Sequence, residues 1–413
     1  MYIFDIAICA IYLLTNIVVI KYHITILPVF SIKTAERTNQ MIHNGKIENV
    51  QILMSDGVFR RGSIEFDEKI KNINVCETGG TEVGPYLIPG LVDIHTHGAL
   101  GGGHIGDSKE KTQEMAKFYA KNGTTSFLAS TVTATEDVLT KAMKNIGEYR
   151  RQKNGARCLG INMEGPYFSH GKRGAHPPEL LRNPDISMFM KLNEASGGAI
   201  KIVCVAPELG GGMDFIKEVA KTCVVSVAHT EADYKTAMEA FSCGATHVTH
   251  LFNGMNPFLH REPGVLGAAL DANAFVEIIS DGFHLHPAVI RAAFNMFTDR
   301  VCLISDSIDM TGLPDGDYIS MNMPVTVVDG KVMLRDSNTL AGSSITLMQG
   351  VRVATGLGIP LCKAVMAASR RSAEAIGVEN EVGSLQKDCN ADMVLLDSKL
   401  NIEKVYIGGK VVE

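Results

Sequence analysis

Leu91-Val92-Asp93-Ile94-His95-Thr96-His97 is the stretch on which the fold turns. Side chains alternate between the two faces of a β-strand, so His95 and His97, two positions apart, share one face. The run leading into them is apolar at nearly every position, which implies burial on both faces, as in a parallel sheet. Outward from it the same texture recurs at 125–129, 160–164, 200–205, 224–229, 247–250, 276–280 and 302–306. Helix-like stretches lie between these runs, at 109–122, 135–154, 186–195, 212–221, 231–242 and 287–297. Eight buried strands separated by helices predict an α/β fold closed into a (β/α)8 TIM-like barrel.

The C-terminal ends of barrel strands converge on one mouth, where active sites form. In this sequence those ends carry His95 and His97, then Glu164, His229, His250 and Asp306. Neutral imidazole and carboxylate suit Zn, Fe, Mn or Co. Six such donors are enough for two adjacent metal ions. Each has an ordinary reading by itself. Glu164 could serve the turn before Gly165-Pro166, His229 could be a core histidine, and Asp306 could cap the segment that follows. Ligand-type residues at five strand ends, in order, are what those readings leave unexplained. His247, three positions before His250, falls on the opposite face of an extended strand and reads as structural.

The ends of the chain have a different texture. From 41 to 85, short alternating segments are separated by the turn pairs Asn44-Gly45 and Asp56-Gly57. The span 380–413 repeats that pattern, with Gly408-Gly409 as a tight turn. Both ends together predict one small β-sandwich domain beside a barrel spanning 86–379. A length of 413 residues suits this division, since a barrel takes roughly 250. Residues 1–40 form an apolar extension, with runs at 6–20 and 24–30. The first run is short for a membrane span, which needs about 20 residues, and it lacks the features of a secretory signal. An anchor, an added hairpin or helix, and an upstream extension of the reading frame compete for this segment. The extension is favoured, because Met41 opens a natural β-strand start, so no membrane contact is expected unless residues 1–30 act as an anchor.

Hydrophobic residues at 46% and charged residues at 20% describe a globular chain with material for a large core. A net charge of −6 offers no basic footprint for nucleic acid, so an anionic substrate would need a local cluster of donors. None of the nine cysteines forms a CxxC pair, and several lie in apolar runs, as Cys204 and Cys302 do. Free buried thiols in a reducing cytoplasm are expected.

Several motifs together carry a family resemblance. Pro89-Gly90-Leu91-Val92-Asp93-Ile94-His95-Thr96-His97-Gly98 resembles the first-strand motif of the amidohydrolase superfamily. Glu164-Gly165-Pro166, Lys172-Arg173-Gly174-Ala175-His176, Ala228-His229-Thr230, Thr249-His250-Leu251-Phe252-Asn253-Gly254-Met255, Arg261-Glu262-Pro263-Gly264, Asp281-Gly282-Phe283-His284 and Leu340-Ala341-Gly342-Ser343-Ser344 are together similar to the N-acetylglucosamine-6-phosphate deacetylase family. The resemblance runs from about Met41 to the C-terminus. Two departures are the N-terminal extension and Lys387-Asp388-Cys389-Asn390-Ala391, where a Gly-Lys-x-Ala-Asp type turn is usual.

The resemblance implies hydrolysis of the acetamide of N-acetylglucosamine 6-phosphate by metal-activated water. It makes Glu164, His229 and His250 ligands of one metal, with His95 and His97 at a second. Asp306 takes the role of acid/base beside the metals, and His176 contacts the acetyl carbonyl. Ala175, Asn253, Gly254, Arg261, His284, Leu340, Ala341 and Gly342 become substrate contacts. A homodimer is also implied, in which Arg261 and His284 reach the sugar phosphate from the neighbouring subunit. The galacto epimer is an alternative substrate. Cyclic amidases and deaminases are rivals within the superfamily, and the former commonly use a carboxylated lysine where this chain has Glu164. A sugar-phosphate binding protein without turnover is a rival from a different class.

Overall fold

The structure is a computed structural model that describes residues 42–43, 45–76, 84–106, 108–152, 154–320, 323–336 and 339–413; the expectations for residues 1–40 lie outside the described residues. Eight strands pair in chain order: β1 (Leu91–Thr96), β2 (Thr124–Ser130), β3 (Arg157–Met163), β4 (Ile200–Val205), β5 (Val224–Val227), β6 (His247–Val248), β7 (Phe275–Ile279) and β8 (Val301–Ile304). Every neighbouring pair is parallel. The two ends of the sheet meet just past the strands, where Asp306 N donates to His95 O at 3.0 Å and His97 N donates to Ser307 O at 2.7 Å. The barrel expected from the strand pattern is the fold observed.

Seven helices fall one to each gap between strands: α1 (Lys109–Lys121), α2 (Glu136–Tyr149), α3 (Ile186–Ala195), α4 (Gly212–Val219), α5 (Tyr234–Cys243), α6 (Gly264–Asp271) and α7 (Pro287–Phe297). Local caps set several of the starts. Ser108, Asp185 and Asp233 accept from the backbone N–H three residues on, satisfying a donor that the helix leaves free. The Asp233 cap explains why α5 begins at Tyr234 and not at 231. Helix α6 went unread in the sequence because Gly264-Val265-Leu266-Gly267-Ala268-Ala269 is buried on all sides and has no polar face to give a period. Three more helices, Leu347–Gly356, Leu361–Ala367 and Arg370–Ala375, follow β8.

One buried cluster joins Val92, Ile94, Leu128, Ile202, Cys204, Cys302 and Ile304. Several of their strands are not neighbours in the sheet, so these side chains meet across the barrel interior. Ala373, Ile376 and Val382 belong to the same cluster. The layer between sheet and helices is larger and includes Met115, Met143, Phe189, Phe215, Val265 and Phe294. Each fully buried side chain of this size contributes about 1.5–3 kcal/mol.

Segments from both ends of the chain share a second sheet. Its strand order is Lys410–Val411, Ile402–Ile407, Met393–Leu396, Tyr86–Pro89, Lys46–Leu53, Phe59–Phe66, Ile70–Val75. Its core holds Ile47, Ile52, Ile64, Leu87, Met393 and Tyr406. Buried Asp392 ties it to the barrel, accepting from Arg157 at the start of β3 (3.0 and 3.2 Å) and from Gly408 N (2.7 Å). A feature the sequence reading did not single out is a three-stranded antiparallel sheet inserted after β8: Gly316–Ser320, Met323–Val328, Lys331–Leu334. Of the described cysteines, Cys158, Cys204, Cys302 and Cys389 are buried free thiols, whereas Cys76 is an exposed one. Among the described residues no helix is long and apolar enough to cross a membrane.

Candidate metal centre

The six donors named from the sequence meet at one rim. Two groups of three form, each with its donor atoms within 4.8 Å of one another and all residues buried: His95, His97 and Asp306, and Glu164, His229 and His250. Within the first, His95 Nε2 lies 3.1 Å from His97 Nε2. Asp306 Oδ1 stands 3.5 Å from the former and 3.3 Å from the latter. Within the second, the Nε2 atoms of His229 and His250 are 3.0 Å apart. Glu164 Oε1 stands 3.4 and 3.2 Å from them. Glu164 also faces the first group, with Oε1 3.5 Å from His95 Nε2 and Oε2 3.3 Å from His97 Nε2.

These separations test the fit to a cation. Donors held about 2.0–2.2 Å from one centre lie roughly 2.8–3.6 Å apart for octahedral to tetrahedral angles. The observed spacings fall in that range, and imidazole with carboxylate is the donor chemistry of Zn, Fe, Mn and Co. The paired Nε2 atoms face only each other and carboxylates, so potential ligand atoms are turned to a common point.

The chain holds these donors under backbone strain. His229, His250 and Asp306 each lie two positions past the end of β5, β6 and β8, with φ of 45°, 28° and 49°. Non-glycine residues seldom adopt that region, and each instance costs on the order of 1–3 kcal/mol. Backbone bonds hold the turns in place: Ser169 N to His229 O, 2.9 Å; Asn253 N to His250 O, 2.9 Å; Ser343 N to Asp306 O, 2.8 Å. Gly254 makes room for one of them. With φ +61°, a Cβ at this position would come within 2.8 Å of His229 Nδ1.

A second layer orients the imidazoles. Glu277, in the middle of β7, places Oε2 2.9 Å from His95 Nδ1. The Lys172 carbonyl stands 2.8 Å from His229 Nδ1. Such partners leave Nε2 as the ring nitrogen free to bind a cation. The sequence reading missed Glu277, although its signal was present: a single carboxylate in the apolar run Phe275-Val276-Glu277-Ile278-Ile279. His247 is fully buried, with Nδ1 3.1 Å from Ser226 Oγ, and does not line the cavity, in keeping with its structural reading.

Electrostatics follow from burial and from these neighbours. Burial pushes the Asp306 carboxyl up, but the His95 and His97 imidazoles outweigh it and hold the group at about 2. For Glu164 burial is again opposed, first by His95 and then by hydrogen bonds from His176, His229 and His250, and it ends well below the usual carboxylate range. Burial lowers the His229 imidazole to about 4, leaving it neutral with a free lone pair. His95 moves the other way: burial lowers it, yet Glu277, Glu164 and Asp306 raise it well above its ordinary value. Cation binding would replace that proton, as metal uptake at imidazole generally does.

The donors open into a cavity of about 750 Å³. Ala175, His176, Asn253, Gly254, His284, Leu340, Ala341 and Gly342 all line it, as do His97, Glu164, His229, His250 and Asp306. His95 lies deeper, fully buried behind them. His176 Nδ1 accepts from Thr133 N at 3.3 Å, so its proton sits on Nε2, which is 3.6 Å from Glu164 Oε2. His284 is held by Asp281, with Nδ1 2.7 Å from Oδ2. Arg261 is exposed and is not among the lining residues. Met323, which opens the second strand of the inserted sheet, and Thr339, just beyond its third strand, also line the cavity.

A closed parallel barrel with clustered imidazoles and carboxylates at its rim defines a class of metal-dependent hydrolases. The pattern of the amidohydrolase family matches residues 86–412, and the chain belongs to that family. Within it, the chain is similar to deacetylases of amino-sugar phosphates. It is 36% identical over 330 residues to N-acetylglucosamine-6-phosphate deacetylase of Vibrio furnissii, covering 79% of this chain and 82% of the relative. It is 35% identical over 329 residues to N-acetylgalactosamine-6-phosphate deacetylase of Escherichia coli O157:H7, covering 79% and 87%. A solved structure of a mutant N-acetyl-D-glucosamine-6-phosphate deacetylase from Mycobacterium smegmatis, in complex with N-acetyl-D-glucosamine-6-phosphate, matches with a TM-score of 0.82 at 30% identity, covering 88% of this chain and 98% of that one.

Proposed function

We propose that this chain hydrolyses the acetamide of N-acetylglucosamine 6-phosphate to glucosamine 6-phosphate and acetate. The observation that carries the reading is the meeting of His95, His97, Glu164, His229, His250 and Asp306 at one cavity, in a chain similar over 79% of its length to enzymes of that name. We assign the two donor groups to two divalent cations, zinc or iron, with manganese or cobalt as alternatives. When bound, such cations polarise an amide carbonyl and make water a stronger acid.

The side chains divide the remaining work. Asp306, held at about 2, is ionised at neutral pH and takes a proton from the attacking water. The same carboxyl then returns that proton to the departing amine nitrogen. His176, with its proton on Nε2, donates to the acetyl oxygen as negative charge builds there. Asn253 and the Gly254 backbone N–H border the cavity as donors for the sugar phosphate. The chain acts as a homodimer, in which Arg261 and His284 reach the phosphate bound by the neighbouring subunit; His284 also borders its own cavity. Residues 86–379 make the catalytic barrel, and 41–85 with 380–413 the small domain. A cytoplasmic setting fits the buried free thiols.

The similarity to the galactosamine relative makes the C4 epimer the second reading. The test is acetate release by the metal-loaded chain, with both 6-phosphates compared by kcat/KM. Acetate from the gluco substrate at the higher kcat/KM supports the proposal. Ammonia in place of acetate would make the chain a deaminase, and bound sugar without any product would make it a binding protein.

A further inference from the structure

Glu277 is the only acidic residue of β7 and is wholly buried, outside the cavity wall. A carboxylate in such a place is costly unless hydrogen bonds and positive charge offset its lost hydration. Two contacts do so, both on one oxygen: Oε2 lies 2.9 Å from His95 Nδ1 and accepts from the His250 backbone N–H at 3.1 Å. The other oxygen, Oε1, stands 3.9 Å from His247 Nδ1, which is engaged with Ser226 Oγ at 3.1 Å. His229 in the second donor group has a neutral counterpart, the Lys172 carbonyl, 2.8 Å from its Nδ1. His97 Nδ1 and His250 Nδ1 have no partner among the described residues. Each donor group therefore has one imidazole clamped from behind, the first by a carboxylate and the second by a neutral carbonyl.

We infer that Glu277 is a positioning residue, which fixes His95 with Nε2 toward the cavity and whose negative charge sets the cation affinity of the His95, His97 and Asp306 group. A hydrogen bond to a carboxylate makes an imidazole a stronger donor than one to a carbonyl does. The Glu164, His229 and His250 group depends on the Lys172 carbonyl and not on the charge of Glu277. Because both short contacts use the same oxygen, Glu277→Gln can keep them through its carbonyl and remove only the charge.

The inference rests on the metal-centre reading, and the experiment separates the two. Metal-free wild-type and Glu277→Gln chains are titrated with zinc against a chelator of known affinity, with the melting temperature of each metal-free form recorded. Two sites are expected in the wild type. In the variant one site keeps its affinity and the other weakens roughly 10- to 100-fold, with the metal-free melting temperature unchanged. Two unchanged sites, or two equally weakened ones, would overturn the role of Glu277 alone. A wild-type chain that took up no zinc would overturn the metal-centre reading along with it. Should the variant not fold, nitrogen-15 spectra of histidine-labelled wild-type chain decide the matter. A protonated, hydrogen-bonded Nδ1 on His95 is expected with and without zinc, and an unprotonated Nδ1 would overturn the inference.

Discussion

Replacing Asp306 by asparagine separates the chemistry of the site from its assembly. The amide has the shape of the carboxyl and keeps an oxygen where Oδ1 now stands, 3.3 Å from His97 Nε2 and 3.5 Å from His95 Nε2. It cannot carry a proton from water to amine. A group ionised down to about pH 2 becomes one that does not ionise at all. A positioned general base contributes about 10²- to 10⁴-fold, which corresponds to about 3–5 kcal/mol of barrier. Asp306 also belongs to a donor group, so loss of a cation could imitate loss of the base. The assay is therefore acetate release under saturating substrate and zinc, with bound zinc per subunit measured on the same samples. The expected result is kcat at least about a hundredfold lower, with bound zinc and melting temperature close to wild type. Near-normal turnover at full zinc content would refute the assignment of Asp306 as the proton carrier.

Arg261→Ala should weaken binding of the phosphorylated sugar far more than that of free N-acetylglucosamine, and equal losses for both would remove Arg261 from the phosphate site. Mixing Arg261→Ala with Asp306→Asn chains tests the dimer, because each mixed pair regains one working site if the arginine comes from the partner and none if it acts within its own chain. In Gly254→Ala the added Cβ, within 2.8 Å of His229 Nδ1 at a φ of +61°, should lower the zinc content of the Glu164, His229 and His250 group and cost about 1–3 kcal/mol of stability, read by metal analysis and melting temperature. Cys158 supplies a pH prediction: burial pushes its thiol up to about 12, so thiolate forms only as pH approaches that value. Between pH 7 and 9 a thiol reagent should modify exposed Cys76 in the folded chain and leave Cys158 untouched until denaturant is added, as followed by mass spectrometry.

Much of the centre was legible because barrels put strand ends to a common use. His95, His97, Glu164, His229, His250 and Asp306 could be picked out by type and place, since imidazoles and carboxylates at the ends of apolar strands need a reason to be there. Glu277 escaped notice because it sits within a strand and not at its end. Helix α6 escaped because periodicity needs a polar face to show itself. The inserted sheet from Gly316 to Leu334 went unread because no strand or helix was traced between Asp306 and the β-rich end that starts at 380.

By itself the sequence determined the order of the eight barrel strands, the barrel they close into, and the imidazoles and carboxylates that gather at its rim. These follow from hydrophobic period and residue type, which are local properties of the chain. Only the tertiary structure decided how the donors divide into two groups, which atoms clamp His95 and His229, and that Arg261 stands away from its own cavity. Those features depend on distances of a few ångströms between residues far apart in the chain, 182 positions in the case of His95 and Glu277. No local pattern encodes such distances; closure of the barrel sets them.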